Sequence, residues 1–209
     1  NPGDADAVAE LIRMLERNVT FNRSEIIRYM RILHYFHPQV FDRVIYGQVL
    51  DALAMEEIET AYDRMALVID AVPDDIGYQL TWAQVCVSAG KLEKAREVIT
   101  ELTERGWPQE EEEIYAATAL MTQVKLAVAQ NNHEFALAKL QQAEKYPFIP
   151  PSQVKALELF IQKQMGDSDE ELDRLRQEII RMGRRDPIHL QVAGATAFRF
   201  MEDYEEVIF

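Results

Sequence analysis

The chain of 209 residues has one cysteine, Cys86, which excludes an internal disulfide framework. No apolar run approaches the roughly 18 residues a membrane-crossing helix needs, and no charged-then-apolar leader opens the chain. The segment therefore reads as one that does not insert into a membrane, and its compartment stays open between a reducing cytoplasm and a cysteine-poor bacterial periplasm. Positive charge is scarce: 22 Lys and Arg face 36 Asp and Glu, a net of −14. That balance speaks against a nucleic-acid partner, because affinity for phosphate backbones comes from Lys and Arg. Glycine-rich phosphate loops, HExxH and GxSxG are all missing, so no catalytic residue, cofactor or metal is assigned and the chain reads as a non-enzyme. Glycine and proline, 8 each, fall mostly between segments of helix length, and no alternating strand stands out.

What is present is a recurrence. Ala61, Ala95 and Ala136 each follow a short polar corner and open an apolar pattern of helical period. Ala61 and Ala95 lie 34 residues apart, Ala95 and Ala136 41, Ala136 and Leu172 36, and Leu172 and Val207 35. One such interval before Ala61 falls Ile27, behind a similar corner at Phe21-Asn22-Arg23-Ser24-Glu25. A period in the thirties marks an array in which each unit is one supersecondary element. The seven-residue surplus in the longest interval is placed at 105–110, around Trp107. The expected helix pairs are 4–17 with 23–36, 39–54 with 57–71, 75–89 with 91–105, 110–130 with 133–145, 151–165 with 169–183, and 187–201 with a start at 203. Asp4, Ser24, Asp74, Ser152 and Ser168 are the expected N-caps, and Pro151 and Pro187 suit first helical turns.

In the third pair Leu92, Ala95, Val98, Ile99 and Leu102 form one apolar stripe, with Glu93, Lys94, Arg96, Glu97 and Glu101 on the other faces. A lone hairpin cannot dry such a stripe, whereas stacked neighbours can. Alanine in the first turn lets helix axes approach closely.

These residues resemble those of the tetratricopeptide repeat family. Ala61 is followed by Met65 and Pro73, Ala95 by Ile99 and Pro108, and Ala136 by Leu140 and Pro147, matching that family's order of alanine, large apolar residue and proline. Its other signature, in the first helix, is poor: around Gln79, Trp82, Ala83 and Cys86 only Ala83 supplies a small residue. The resemblance implies an all-α, right-handed superhelical solenoid of about five and a half repeats, divided roughly at 4–38, 39–73, 74–108, 109–150, 151–186 and an incomplete 187–209. Both ends look cut, so a longer parent array is expected.

The resemblance also implies where such a chain binds. First helices line the concave side, and their inner faces here carry Arg43, Tyr46 and Leu50, then Leu80, Thr81 and Gln84, then Thr118, Met121, Thr122 and Lys125. This mixed surface suits an extended peptide or a partner helix; ordinary interhelix packing is the competing reading, above all for Leu50, Leu80 and Met121. The Lys, Asn and Arg set of the family's carboxylate clamp is not supplied. A scaffold recruiting a protein or peptide partner is the first function expected, and a periplasmic module of bacterial polysaccharide or pilus export the alternative. A metal enzyme would require His34 and His37, one turn apart, to converge with a ligand such as Asp42. Cys86, in an apolar period with Trp82 and Val85, reads as a small hydrophobe. Trp107 either protrudes as an anchor or folds back over its own helix ends. Glu110 to Glu113 and the cluster Arg181, Arg184 and Arg185 complement helix dipoles more readily than they make docking sites.

Overall fold

The computed structural model describes residues 4–17 and 22–201, and among them regular structure is entirely helical. The elements are α1 (Ala5–Arg17), α2 (Arg23–Phe36), α3 (Pro38–Phe41), a π turn (Asp42–Tyr46), α4 (Gly47–Ala54), α5 (Ile58–Ala71), α6 (Ile76–Ser88), α7 (Leu92–Arg105), α8 (Glu112–Ala129), α9 (His133–Ala143), α10 (Pro151–Met165), α11 (Asp169–Arg185) and α12 (Ile188–Met201). The expected pairs coincide with these elements to within a few residues. One refinement is that 38–54 is a single helical stretch whose hydrogen bonding widens to a π turn at Asp42–Tyr46. The expected start at 203, Val207, and part of the corner around Phe21 lie outside the described residues.

Two of the expected caps bind as expected: Asp4 Oδ1 accepts from the Ala7 amide at 3.1 Å and Ser168 Oγ from the Glu171 amide at 3.4 Å. Three assignments are corrected. Asn22, not Ser24, caps α2 through the Glu25 amide, and Asp75, not Asp74, caps α6 through the Tyr78 amide at 2.9 Å. A cap oxygen must stand three residues before the amide it receives, and in both places an Asx residue holds that position. Ser152 cannot cap because Pro151 already occupies the first helical position, leaving Pro150 outside. Pro187 stands just ahead of α12, which opens at Ile188.

The corners repeat in geometry as well as in sequence. Glu56, Gly90, Asn131 and Gly166 all have positive φ, between 56° and 78°, and each sits between the two helices of a pair. At each corner the next residue's amide reaches back five positions: Glu57 to the Ala52 carbonyl, Lys91 to Cys86, Asn132 to Ala127 and Asp167 to Gln162, at 2.8–3.1 Å. The positive-φ residue's own amide bonds the carbonyl three back. This is the Schellman closure, which satisfies the orphan carbonyls of a helix end. Behind three of the corners, five residues on, stand Ala61, Ala95 and Ala136, each 0% exposed. Behind the fourth, Leu172 arrives one residue later because Ser168 caps α11 from an extended conformation.

The seven-residue surplus is not a loop insertion. Helix α8 has 18 residues against 13 in α6, and only the remaining two lie in the connection. Glu112 and Glu113 stand in the first turn of this longer helix, Glu111 is its N-cap residue, and Glu110 lies in the turn before it.

The chain divides into two compact units, residues 1–98 and 99–209, the division falling inside α7. In the first unit α2 packs on α1, α3 and α5, and α5 packs on α4 and α6, with Ile26, Met30, Leu33, Phe41, Val49, Met65 and Val68 buried. In the second, α8, α9 and α10 share a core of Val124, Ala136, Leu140, Leu157 and Ile161. Helices α10, α11 and α12 share another, built from Leu159, Leu172, Leu175, Ile179 and Ala193. Each fully buried aliphatic side chain contributes about 1.5–3 kcal/mol. Gly183 is buried because Leu190 of α12 occupies the volume a side chain would need: a Cβ there would stand 2.1 Å from Leu190 Cγ.

Candidate partner-binding surface

In the first unit the π turn, α4 and α6 carry the candidate residues. Tyr46 and Thr81 come together, Oη to Oγ1 at 2.8 Å. Thr81 Oγ1 donates to the Gly77 carbonyl at 3.1 Å, so in this bond Tyr46 is the donor. Arg43 and Leu50 are exposed, Leu50 at 46%; Gln84 is half-buried. Leu80 is buried at 2% and belongs to the core, the packing alternative set out for it. Arg43 meets no carboxylate among the described residues.

A second pair at the same seam was not foreseen. Tyr78 Oη donates to the Asp42 carboxylate. Asp42 and Tyr46 lie four apart along one helical stretch, Tyr78 and Thr81 three apart along the other, so each stretch presents one face to the other. The tyrosine hydroxyls are tied to partners 36 and 35 residues away, about one repeat interval, and that matched spacing was the sequence signal available. Burial of its ring, then the bond to Asp42 and the charges of Asp42 and Asp75, raise the Tyr78 pKa well above its ordinary value. The Tyr78 ring also lies 5.0 Å from Tyr46, 5.8 Å from Phe41 and 6.0 Å from His34.

This arrangement also decides the fate of the histidines. His34 packs edge-on against Phe41 at 5.1 Å, and Asp42 is engaged by Tyr78. Among the described residues no group of three or more His, Cys, Asp or Glu is placed to hold a metal ion. Cys86 is buried, and burial pushes its thiol up to about 12, which makes it a poor nucleophile at neutral pH. A mixed-charge cavity of about 420 Å³ lies elsewhere in this unit, lined by Glu16, Arg23, Thr60, Asp63, Arg64 and Leu67.

In the second unit the α8 candidates are divided. Met121 is 8% exposed and Thr122 0%; Met121 belongs to the core of α8, α9 and α10. The Thr122 hydroxyl donates to the Thr118 carbonyl and that of Thr118 to the Ile114 carbonyl, both at 2.8 Å, a common return of threonine to its own helix. Thr118 and Lys125 are half-buried. Trp107 is half-buried, its ring centroid 6.3 Å from that of Tyr115 in α8, which is the folded-back arrangement.

No helix among the described residues is long and apolar enough to cross a membrane. No protein-family model matches the chain, and no curated protein is significantly similar to it.

Proposed function

We propose that the chain is a tetratricopeptide-like scaffold that holds a peptide or partner helix against the exposed face of its first helices. The observation that carries this reading is the fourfold Schellman corner, with Glu56, Gly90, Asn131 and Gly166 in one backbone conformation. Helical pairs that end identically and open onto small or apolar residues at a near-constant interval are units made to stack. Within the first unit the seam of Asp42, Tyr46, Tyr78 and Thr81 holds the two first-helix stretches in register. Arg43, Leu50 and Gln84 beside it stay open to a ligand: one cation, one apolar anchor and one amide, the mixture that side-chain recognition of a peptide uses.

The architectural half is tested by small-angle scattering. A compact globule of this length has a radius of gyration of about 17 Å, and a solenoid must exceed it clearly. For the binding half, Tyr46→Ala with Gln84→Ala should reduce recovery of the partner in a pull-down at least tenfold while far-UV circular dichroism is unchanged. Undiminished recovery would move the site off these helices.

A further inference from the structure

We infer that the cavity between the end of α1, the start of α2 and one face of α5 is a binding site for a free α-amino acid with an apolar side chain. This site is separate from the partner-binding face and does not rest on it, since none of its residues is a candidate of that face. The cavity measures about 420 Å³, within the range of about 300–1,000 Å³ usual for small-molecule sites. Thr60, Asp63, Arg64 and Leu67 recur at i, i+3, i+4 and i+7 along α5, so they share one side of that helix. The core stripe of Ala61, Met65 and Val68 runs beside them. Glu16, in the last turn of α1, and Arg23, the first residue of α2, complete the lining.

The charges are arranged for a ligand that carries both signs. Arg23 is already matched: its Nε and Nη2 both donate to Asp70 Oδ2, at 3.1 and 2.6 Å. Arg64 is matched less closely. Its Nη1 donates to the Gln48 amide oxygen and stands 3.7 Å from Glu16 Oε1, beyond hydrogen-bond length. The side chains of Arg64 and Glu16 are only 34% and 20% exposed, so salt screens them less than it would a surface pair. Asp63 is exposed and joins no ion pair among the described residues.

An α-amino acid carries its ammonium and carboxylate on one carbon. A guanidinium and a carboxylate 3.7 Å apart present the opposite signs at a matching separation. With the ligand carboxylate on Arg64 and its ammonium on Glu16, the four groups close a quartet of alternating charge, and a loose ion pair is replaced by charge-assisted hydrogen bonds. Asp63 adds a second acceptor for the ammonium, and the Thr60 hydroxyl a donor for the carboxylate. Leu67, 7% exposed, gives the apolar side chain its contact. A simple anion would stand against Glu16 and Asp63, and a simple cation against Arg64. An uncharged molecule would take water from all three without replacing its bonds. The net charge of −14 neither attracts nor repels a ligand whose own net charge is zero.

The test titrates the full chain with L-leucine by isothermal titration calorimetry, beside two isosteres that each lack one charge: 4-methylpentanoate, without the ammonium, and 3-methylbutylamine, without the carboxylate. Leucine should bind saturably, and each isostere about tenfold more weakly or worse. Arg64→Met should raise the leucine Kd about tenfold or more while sparing 3-methylbutylamine. Asp63→Asn, an exposed position that folding does not depend on, should raise it about threefold to fivefold. Tyr46→Ala with Gln84→Ala should leave it as it was. The proposal is overturned if L-alanine, L-valine and L-leucine all fail to bind, if Asp63→Asn and Arg64→Met both leave Kd unchanged, or if changing Tyr46 and Gln84 abolishes binding. Equal affinity for 4-methylpentanoate would overturn it in favour of a simple anion, and equal affinity for 3-methylbutylamine in favour of a simple cation.

Discussion

The two units close their helix seams by different chemistry. In the first, the π turn meets α6 through Tyr78 on Asp42 and Tyr46 on Thr81. In the second, α11 meets α12 through the absence of a side chain, Leu190 lying over Gly183. A steric seam has one solution, because nothing else fits a space defined by a missing Cβ. A seam of hydroxyls beside half-exposed residues has others, since each hydroxyl can exchange its partner for water or for a ligand group at small net cost. Helical seams in one chain can thus be rigid in one place and open to exchange in another, and the open seam is the one that adjoins Arg43, Leu50 and Gln84.

The sharpest way to break this contrast is Gly183→Ala. The new methyl would stand within 2.1–2.7 Å of Leu190 Cγ and its two methyls, an overpacking that costs about 2–3 kcal/mol. Thermal unfolding should show a midpoint lower by about 5–10 °C, independent of salt. Adding Leu190→Ala should recover part of the loss by making room. If the single variant were unchanged in stability, the second unit would not be closed sterically.

Next in size is the response of the first unit to alkaline pH. Tyr78 has its folded pKa raised above the unfolded value near 10, so its protonated form is the one folding favours. The stability it contributes is fully present below about pH 10 and is lost as pH rises above it, at up to about 1.4 kcal/mol per pH unit. Cys86 acts with the same sign, because its folded pKa of about 12 exceeds an unfolded value of about 8.5. Tyr78→Phe should lower stability at pH 7 by about 1 kcal/mol for the lost bond to Asp42 and flatten the decline above pH 10. Urea unfolding at pH 7, 9 and 10.5 measures both, and an equally steep decline in the variant would remove Tyr78 as its source.

Much of this architecture was legible from residues that local physics constrains tightly. Helix period and corner spacing fixed the pairs, because an apolar stripe and a positive-φ stop leave few alternatives. The caps at Ser24 and Asp74 went astray through competition between neighbouring cap residues, which a choice of one or two positions decides. The π turn at 42–46 carries no composition of its own. Of the surface candidates, Tyr46 with Thr81 came together, whereas Met121 and Thr122 were buried. A residue one turn along a first helix faces a groove or a neighbour according to packing angles that no single helix encodes.

The smallest effect separates the corners themselves. Glu56 and Asn131 hold positive φ where Gly90 and Gly166 hold it in their sister corners. A left-handed conformation costs an ordinary L-residue about 1–2 kcal/mol, whereas asparagine visits it more readily. Glycine also loses more chain entropy on folding, which takes back part of the gain. Glu56→Gly should therefore stabilise the first unit by about 0.5–1 kcal/mol, and Asn131→Gly should change the second by no more than a few tenths. Urea midpoints compared at constant m-value resolve the two. If Glu56→Gly destabilised instead, the Glu56 side chain would be contributing an interaction worth more than its strain, and the four corners would share a shape without sharing the reason for it.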